Sequence, residues 1–101
     1  MKQFTKDELD ALVASGEKVV VDFFASWCGP CKMLAPVFES AAAKAEGRAV
    51  FGKVDIDAEP ELQQRYGIMT VPTIILFKDG AVAHRQSGLM NEAMLLELLE
   101  K

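Results

Sequence analysis

Cys28 and Cys31 are the only cysteines in the chain, and Gly29 and Pro30 stand between them. Two thiols at this spacing can serve as a structural staple, as half of a metal site, or as a redox pair. As a staple they close a very short loop, for which loop entropy gives only about 2 kcal/mol, and a reducing compartment would remove even that. As a closed zinc site they need two more ligands. The single histidine, His84, lies in a strand-like stretch and reads as solvent-facing, so a carboxylate or a second subunit would have to complete the set. As a redox pair they need nothing further. If Cys28 opens a helix, Cys31 lies one turn on, with Cβ atoms about 5 Å apart. Modest adjustment then reaches the ~3.8 Å that a disulfide prefers.

A helix start would also prepare the chemistry. Its unpaired N–H groups and the positive end of its dipole favour an anion at Cys28. Pro30 suits the first turn, where a missing N–H costs nothing. The elements needed to hold the pair in this way can be read from the flanking sequence. "VVVDFFA" at 19–25 is apolar at both parities and predicts a strand covered on both faces. After the cysteines, Met33, Leu34, Val37, Phe38, Ala41, Ala42 and Ala45 keep helical spacing up to Gly47, with Pro36 expected to kink the run.

The rest of the chain supplies partners for that strand and helix. "TKDE" at 5–8 fits a capping box ahead of Leu9, Leu12 and Val13, with Gly16 as the stop. "AVFGKVDID" at 49–57 predicts a second strand. Asp57 is expected to cap a short helix with Pro60 in its first turn, Leu62 and Tyr66 facing inward and Gly67 at its end. "TIILFKDGAVAHRQS" at 73–87 predicts a hairpin turning at Asp79-Gly80. From Asn91 onward, Met94, Leu95, Leu98 and Leu99 share one helical face. From Val19 the order is β-α-β-α-β-β-α, with an extra edge strand open at Lys2–Phe4. That order implies a mixed sheet with helices on both faces.

Bulk properties narrow the function classes. The 101 residues suit one domain, and half of them are hydrophobic, enough for a core without metals or several disulfides. A net charge of -4 with mixed signs argues against nucleic acid or an anionic membrane as the main partner. No apolar run approaches the roughly 18 residues of a spanning helix, and "MKQFTKDELDA" has no signal-peptide core. The expectation is a cytoplasmic monomer.

The motifs, taken in order, resemble the thioredoxin family. "WCGPCK" at 27–32 is that family's active-site sequence. It is preceded by "VVVDFFA" and followed by "MLAP" at 33–36, "KVDID" at 53–57, "YGIMTVPTIILFKDG" at 66–80 and "SG" at 87–88. The resemblance covers nearly the whole chain. It implies one α/β thioredoxin domain over 1–101, with a mixed central sheet of four to five strands flanked by helices. The implied function is a protein-disulfide reductase working by dithiol–disulfide exchange. No cofactor is bound. NADPH acts indirectly, through a thioredoxin reductase that recycles the pair, and the other partners are disulfide-containing proteins.

The resemblance also implies residue roles. Cys28 would be the exposed nucleophile and Cys31 the buried resolving thiol. Asp22 would manage the Cys31 proton, with Lys53 nearby, and Pro72 would be a cis-proline facing the disulfide. Trp27, Gly29, Pro30, Val71, Pro72 and Gly88 would form the apolar surface that meets protein substrates. In such a thiol, a pKa lowered from about 8.5 to about 7 raises the thiolate fraction at neutral pH from about 3% to about 50%. Lower basicity offsets roughly fivefold of that, leaving a net gain of roughly threefold in attack rate.

Physical arguments bear on some of these roles independently. Asp22 interrupts an apolar strand, where a buried carboxylate should have a raised pKa, although a strand-end aspartate bonded to backbone or water reads the same way. Lys53 equally suits an ordinary strand-edge lysine, and Trp27 suits plain packing. Val71-Pro72 leaves a backbone edge to which an extended substrate could add, or forms only a turn. Phe24 stands where many family members have a second tryptophan, and Met69-Thr70 fills a variable stretch. The alternative functions are a thiol oxidase or disulfide isomerase on the same fold, or a redox-silent binding module. The Gly-Pro between the cysteines resembles the reducing members.

Overall fold

The β-branched and aromatic run at Val19–Phe24 forms β1, and every residue in it is buried. A computed structural model describes all 101 residues. Before β1, helix α1 spans Lys6–Ala14. Its capping box forms as the sequence predicts, with the Glu8 N–H donating to Thr5 Oγ1 and the Thr5 N–H donating to Glu8 Oε1. After β1 come α2 (Gly29–Lys44), β2 (Val50–Asp55), α3 (Pro60–Arg65), β3 (Thr73–Lys78), β4 (Ala81–Ser87) and α4 (Glu92–Glu97). A short 3-10 turn at Leu98–Glu100 extends α4.

The sheet order is β2-β1-β3-β4. β1 runs parallel to β2, with Asp22 opposite Lys53, and antiparallel to β3, with Asp22 opposite Ile74. The β3–β4 hairpin turns at Asp79 and Gly80, both at positive φ, as a two-residue primed turn requires. The open fifth strand reduces to one parallel bridge between Gln3 and Lys53, because Thr5 leaves the edge at once to cap α1. There the Phe4 ring lies over Gly52, where any Cβ would overlap it.

Alternation along β1 divides the core into two layers. Val19, Val21 and Phe23 pack with Leu9 of α1, Leu62 of α3, and Ile75 and Phe77 of β3. Val20 packs on the other side with Leu34, Phe38 and Ala41 of α2 and Leu95 of α4. The sheet is therefore covered on both faces. Its arrangement brings the C-terminal ends of β1, β2 and β4 beside the N-terminal end of β3, and the loops leaving that edge hold the cysteine pair. Pro36 lies inside α2, where it removes the hydrogen bond its N–H would have given one turn back.

Candidate active site

The end of β1 delivers the chain through Ala25–Trp27 to Cys28, which is the N-cap of α2. Gly29 and Pro30 fill the first two helical positions and are exposed, so the proline interrupts no hydrogen bond. Cys31, one turn on, is joined to Cys28 as a disulfide with its Cα 5.3 Å away. The Cys31 N–H points at Cys28 Sγ at 3.1 Å. The sulfur thus takes the place that a serine or aspartate oxygen usually holds at a helix start. No acidic residue stands in the first turn of α2 to compete for that positive end.

Burial does not separate the two sulfurs as the resemblance implies. Cys28 is only 5% exposed and Cys31 3%. The loop before β3 explains this difference from an exposed Cys28, because the Val71 carbonyl lies 3.6 Å from Cys28 Sγ and covers it. What distinguishes the sulfurs is their surroundings. Cys28 faces that loop, whereas Cys31 lines a surface pocket of about 250 Å³ together with Phe24, Ala35 and Lys53.

Asp22 lies on the α2 side of β1, two residues beyond Val20 on the same face. It is completely buried, and neither carboxylate oxygen has a hydrogen-bond partner. A strand-end aspartate bonded to backbone is therefore not what the fold contains. Burial pushes its pKa up from 3.8 to about 6, and the charge of Lys53 pulls against that rise. Lys53 is half-buried on the neighbouring strand, with its Nζ 4.3 Å above the centre of the Phe24 ring.

The Val71–Pro72 bond is cis, and Pro72 is buried. The Pro72 carbonyl accepts the Gly88 N–H at 2.9 Å, which brings Gly88 to the same edge at φ +90. The Val71 N–H makes no hydrogen bond within the chain. Trp27 is 68% exposed, so it is not a core packing residue. Its indole N–H donates to Asp57 Oδ2 at 2.9 Å. That contact corrects one expectation from the sequence. Asp57 does not cap α3; the N-cap is Glu59, whose own carboxylate accepts the Lys6 N–H at 2.6 Å rather than any N–H of α3.

Trp27 and Met69 stand across a groove of about 410 Å³. Met69, at 90% exposed, is the most open large apolar side chain of the molecule. His84 sits on β4 opposite Leu76, and no three His, Cys, Asp or Glu residues gather at metal-binding distance. No helix is long and apolar enough to cross a membrane.

Sequence reasoning missed Asp57 as the partner of Trp27, and it missed Thr73. The Thr73 hydroxyl donates to the Thr70 carbonyl at 2.7 Å and so braces the loop beside Cys28. A threonine opening a strand carries no local sign of that bond.

The family model for thioredoxin matches residues 1–101. A thioredoxin of Mycoplasmoides gallisepticum is 46% identical over 101 residues, covering 99% of this chain and all of that one. A thioredoxin of Staphylococcus aureus is 44% identical over 97 residues, covering 96% of this chain and 92% of that one. The solved structure of Plasmodium falciparum thioredoxin superposes with a TM-score of 0.89 at 37% identity, over 99% of this chain and 97% of that one. Similarity along the full length, the shared fold and the paired cysteines agree: the chain belongs to the thioredoxin family, and it is a thiol–disulfide oxidoreductase that reduces partner disulfides by exchange through Cys28 and Cys31.

Proposed function

We propose that Cys28 is the attacking thiolate, Cys31 the resolving thiol, and Asp22 the group that takes the Cys31 proton. The observation that carries this assignment is the position of Cys28 Sγ as the N-cap acceptor of α2, aimed at by the Cys31 N–H. Negative charge on that sulfur is stabilised by the helix end before any substrate arrives.

The reaction then runs in two exchanges. Cys28 thiolate attacks one sulfur of the substrate disulfide, forms a mixed disulfide and releases the first substrate thiolate. Cys31 passes its proton to Asp22, and its thiolate attacks Cys28 Sγ. The second substrate thiolate leaves, and the Cys28–Cys31 disulfide remains. Two electrons have moved to the substrate, and the released thiolates take up protons from solvent. Asp22 suits its part because a carboxyl held near pH 6 both accepts and returns a proton at neutral pH. Lys53 tunes it by charge.

Protein substrates dock on the edge formed by Trp27, Gly29, Pro30, Val71, Pro72 and Gly88. The free Val71 N–H supports strand-like pairing with an extended substrate segment. Recycling falls to a thioredoxin reductase supplied by NADPH. The chain acts as a single-domain cytoplasmic monomer, with neither nucleic acid nor membrane as partner.

Trapping tests the order of attack. Cys31→Ser, incubated with a disulfide-bonded protein, should accumulate a mixed disulfide at Cys28 that peptide mass spectrometry locates. Accumulation of adducts at Cys31 in Cys28→Ser instead would reverse the two roles.

A further inference from the structure

β4 is an edge strand, yet the face of its last residues is bound to the loop that leads into the site. Arg85 and Ser87 are two residues apart, so they share a face. They stand opposite Ile75 and Thr73 of β3, on the side where α1 and α3 pack. Arg85 Nη1 donates to the Tyr66 carbonyl at 2.6 Å, and Nη2 donates to the Gly67 carbonyl at 3.2 Å. These carbonyls close the C-terminal end of α3, where a cation is favoured. Ser87 Oγ lies 3.1 Å from Thr73 Oγ1, which donates onward to the Thr70 carbonyl. Gly88 then holds the Pro72 carbonyl. The loop is thus held at its start by Arg85 of β4, near its middle by Thr73 of β3 with Ser87 beside it, and at its end by Gly88 just after β4, and between those holds lie Met69 and Val71.

We propose that Arg85 is a positioning residue for protein substrates: by fixing the α3 end of this loop it sets where the Val71 backbone stands relative to Cys28. The inference rests on the reading that Val71 pairs with a substrate segment. The first turn of α2 holds Cys28 and Cys31, so Arg85 reaches the sulfur chemistry only through the Val71 carbonyl beside Cys28 Sγ. What β4 holds directly is the docking edge. A looser edge must be ordered again at every encounter, which weakens docking and leaves the exchange step alone. The planar guanidinium matters because it meets two carbonyls at once, whereas a lysine offers a single compact charge.

The test uses Arg85→Gln and Arg85→Lys in the full chain, with dithiothreitol as electron donor. Each is assayed with insulin, a docked protein disulfide, and with dithiobis(nitrobenzoate), a small one. KM for insulin should rise roughly fivefold in Arg85→Gln, the scale of one net hydrogen bond, with kcat held. Arg85→Lys should recover part of that rise. Rates with the small disulfide should fall by less than the change in insulin KM. An unmoved KM, or equal losses with both substrates, overturns the inference. Amide exchange at Val71 in the Cys31→Ser adduct with insulin separates the two readings. No added protection there overturns the docking mode and this inference with it; protection together with an unmoved KM overturns the inference alone.

Discussion

The two faces of β1 are equally buried but differ in what they hold. On one, Val19, Val21 and Phe23 are fully enclosed by Leu9, Leu62, Ile75 and Phe77, and Phe23 meets Tyr66 ring to ring at 6.0 Å. On the other, Val20 begins an apolar layer of the same kind, and Asp22 interrupts it with two unpartnered carboxylate oxygens. Burial alone therefore does not tell a packing face from a working one. The distinguishing mark is a polar group left unsatisfied where packing would favour a hydrophobe. A strand can be optimised for stability on one side and for proton transfer on the other, because alternation keeps the two sets of side chains apart.

The comparison can be broken most directly by disabling the chemistry and the packing in turn. Cys28→Ser, just past the end of β1 where the pair adjoins the Phe23 layer, should reduce turnover of protein disulfides to the uncatalysed background while leaving the fold intact, as checked by insulin reduction and circular dichroism. Phe23→Ala, on the packing face, should do the reverse. Removing a fully buried phenyl ring should cost about 3–5 kcal/mol in denaturant unfolding. The rate per folded molecule should stay within about twofold of the parent, and the reduction potential within about 9 mV, which is twofold in the exchange constant of a two-electron couple. A shifted potential in Phe23→Ala would show that the two faces are not separate.

The packing face was also the more legible in sequence. Apolar residues at both parities in 19–24, the Thr5–Glu8 box and the Asp79-Gly80 turn each carry a local signature, and each forms as its signature requires. Asp22 was visible for the complementary reason, as the one charge inside an apolar run. What stayed hidden depends on partners distant along the chain. Asp57 looks like a helix cap because Pro60 follows it, but its partner is the Trp27 indole, brought close by the parallel pairing of β1 and β2. Arg85 carries no local signature of its role, because nothing beside it in sequence announces carbonyls at the end of α3. The covering of Cys28 was hidden for the same reason, since Val71 is supplied by the loop before β3.

A smaller and more discriminating test is the pH dependence of stability at Asp22. Asparagine keeps the shape of the protonated acid and cannot ionise, so Asp22→Asn isolates the charge. In the unfolded chain the carboxyl titrates near its ordinary 3.8, and in the fold near 6. Below the unfolded value both states are protonated, and parent and variant should be equally stable. Between pH 4 and 6 the unfolded parent ionises while the folded parent still holds its proton. The parent therefore loses stability as pH rises, and the variant does not. Above the folded value the loss levels off. A shift of about two units at 1.36 kcal/mol each makes the variant more stable by about 3 kcal/mol at pH 7. Denaturant titrations from pH 3 to 8 should trace that curve, and turnover of the more stable variant should fall because Cys31 has lost its proton acceptor. A stability difference that stays flat across the range would mean that Asp22 is not held protonated by burial. The working face of β1 would then be packed as conventionally as the other.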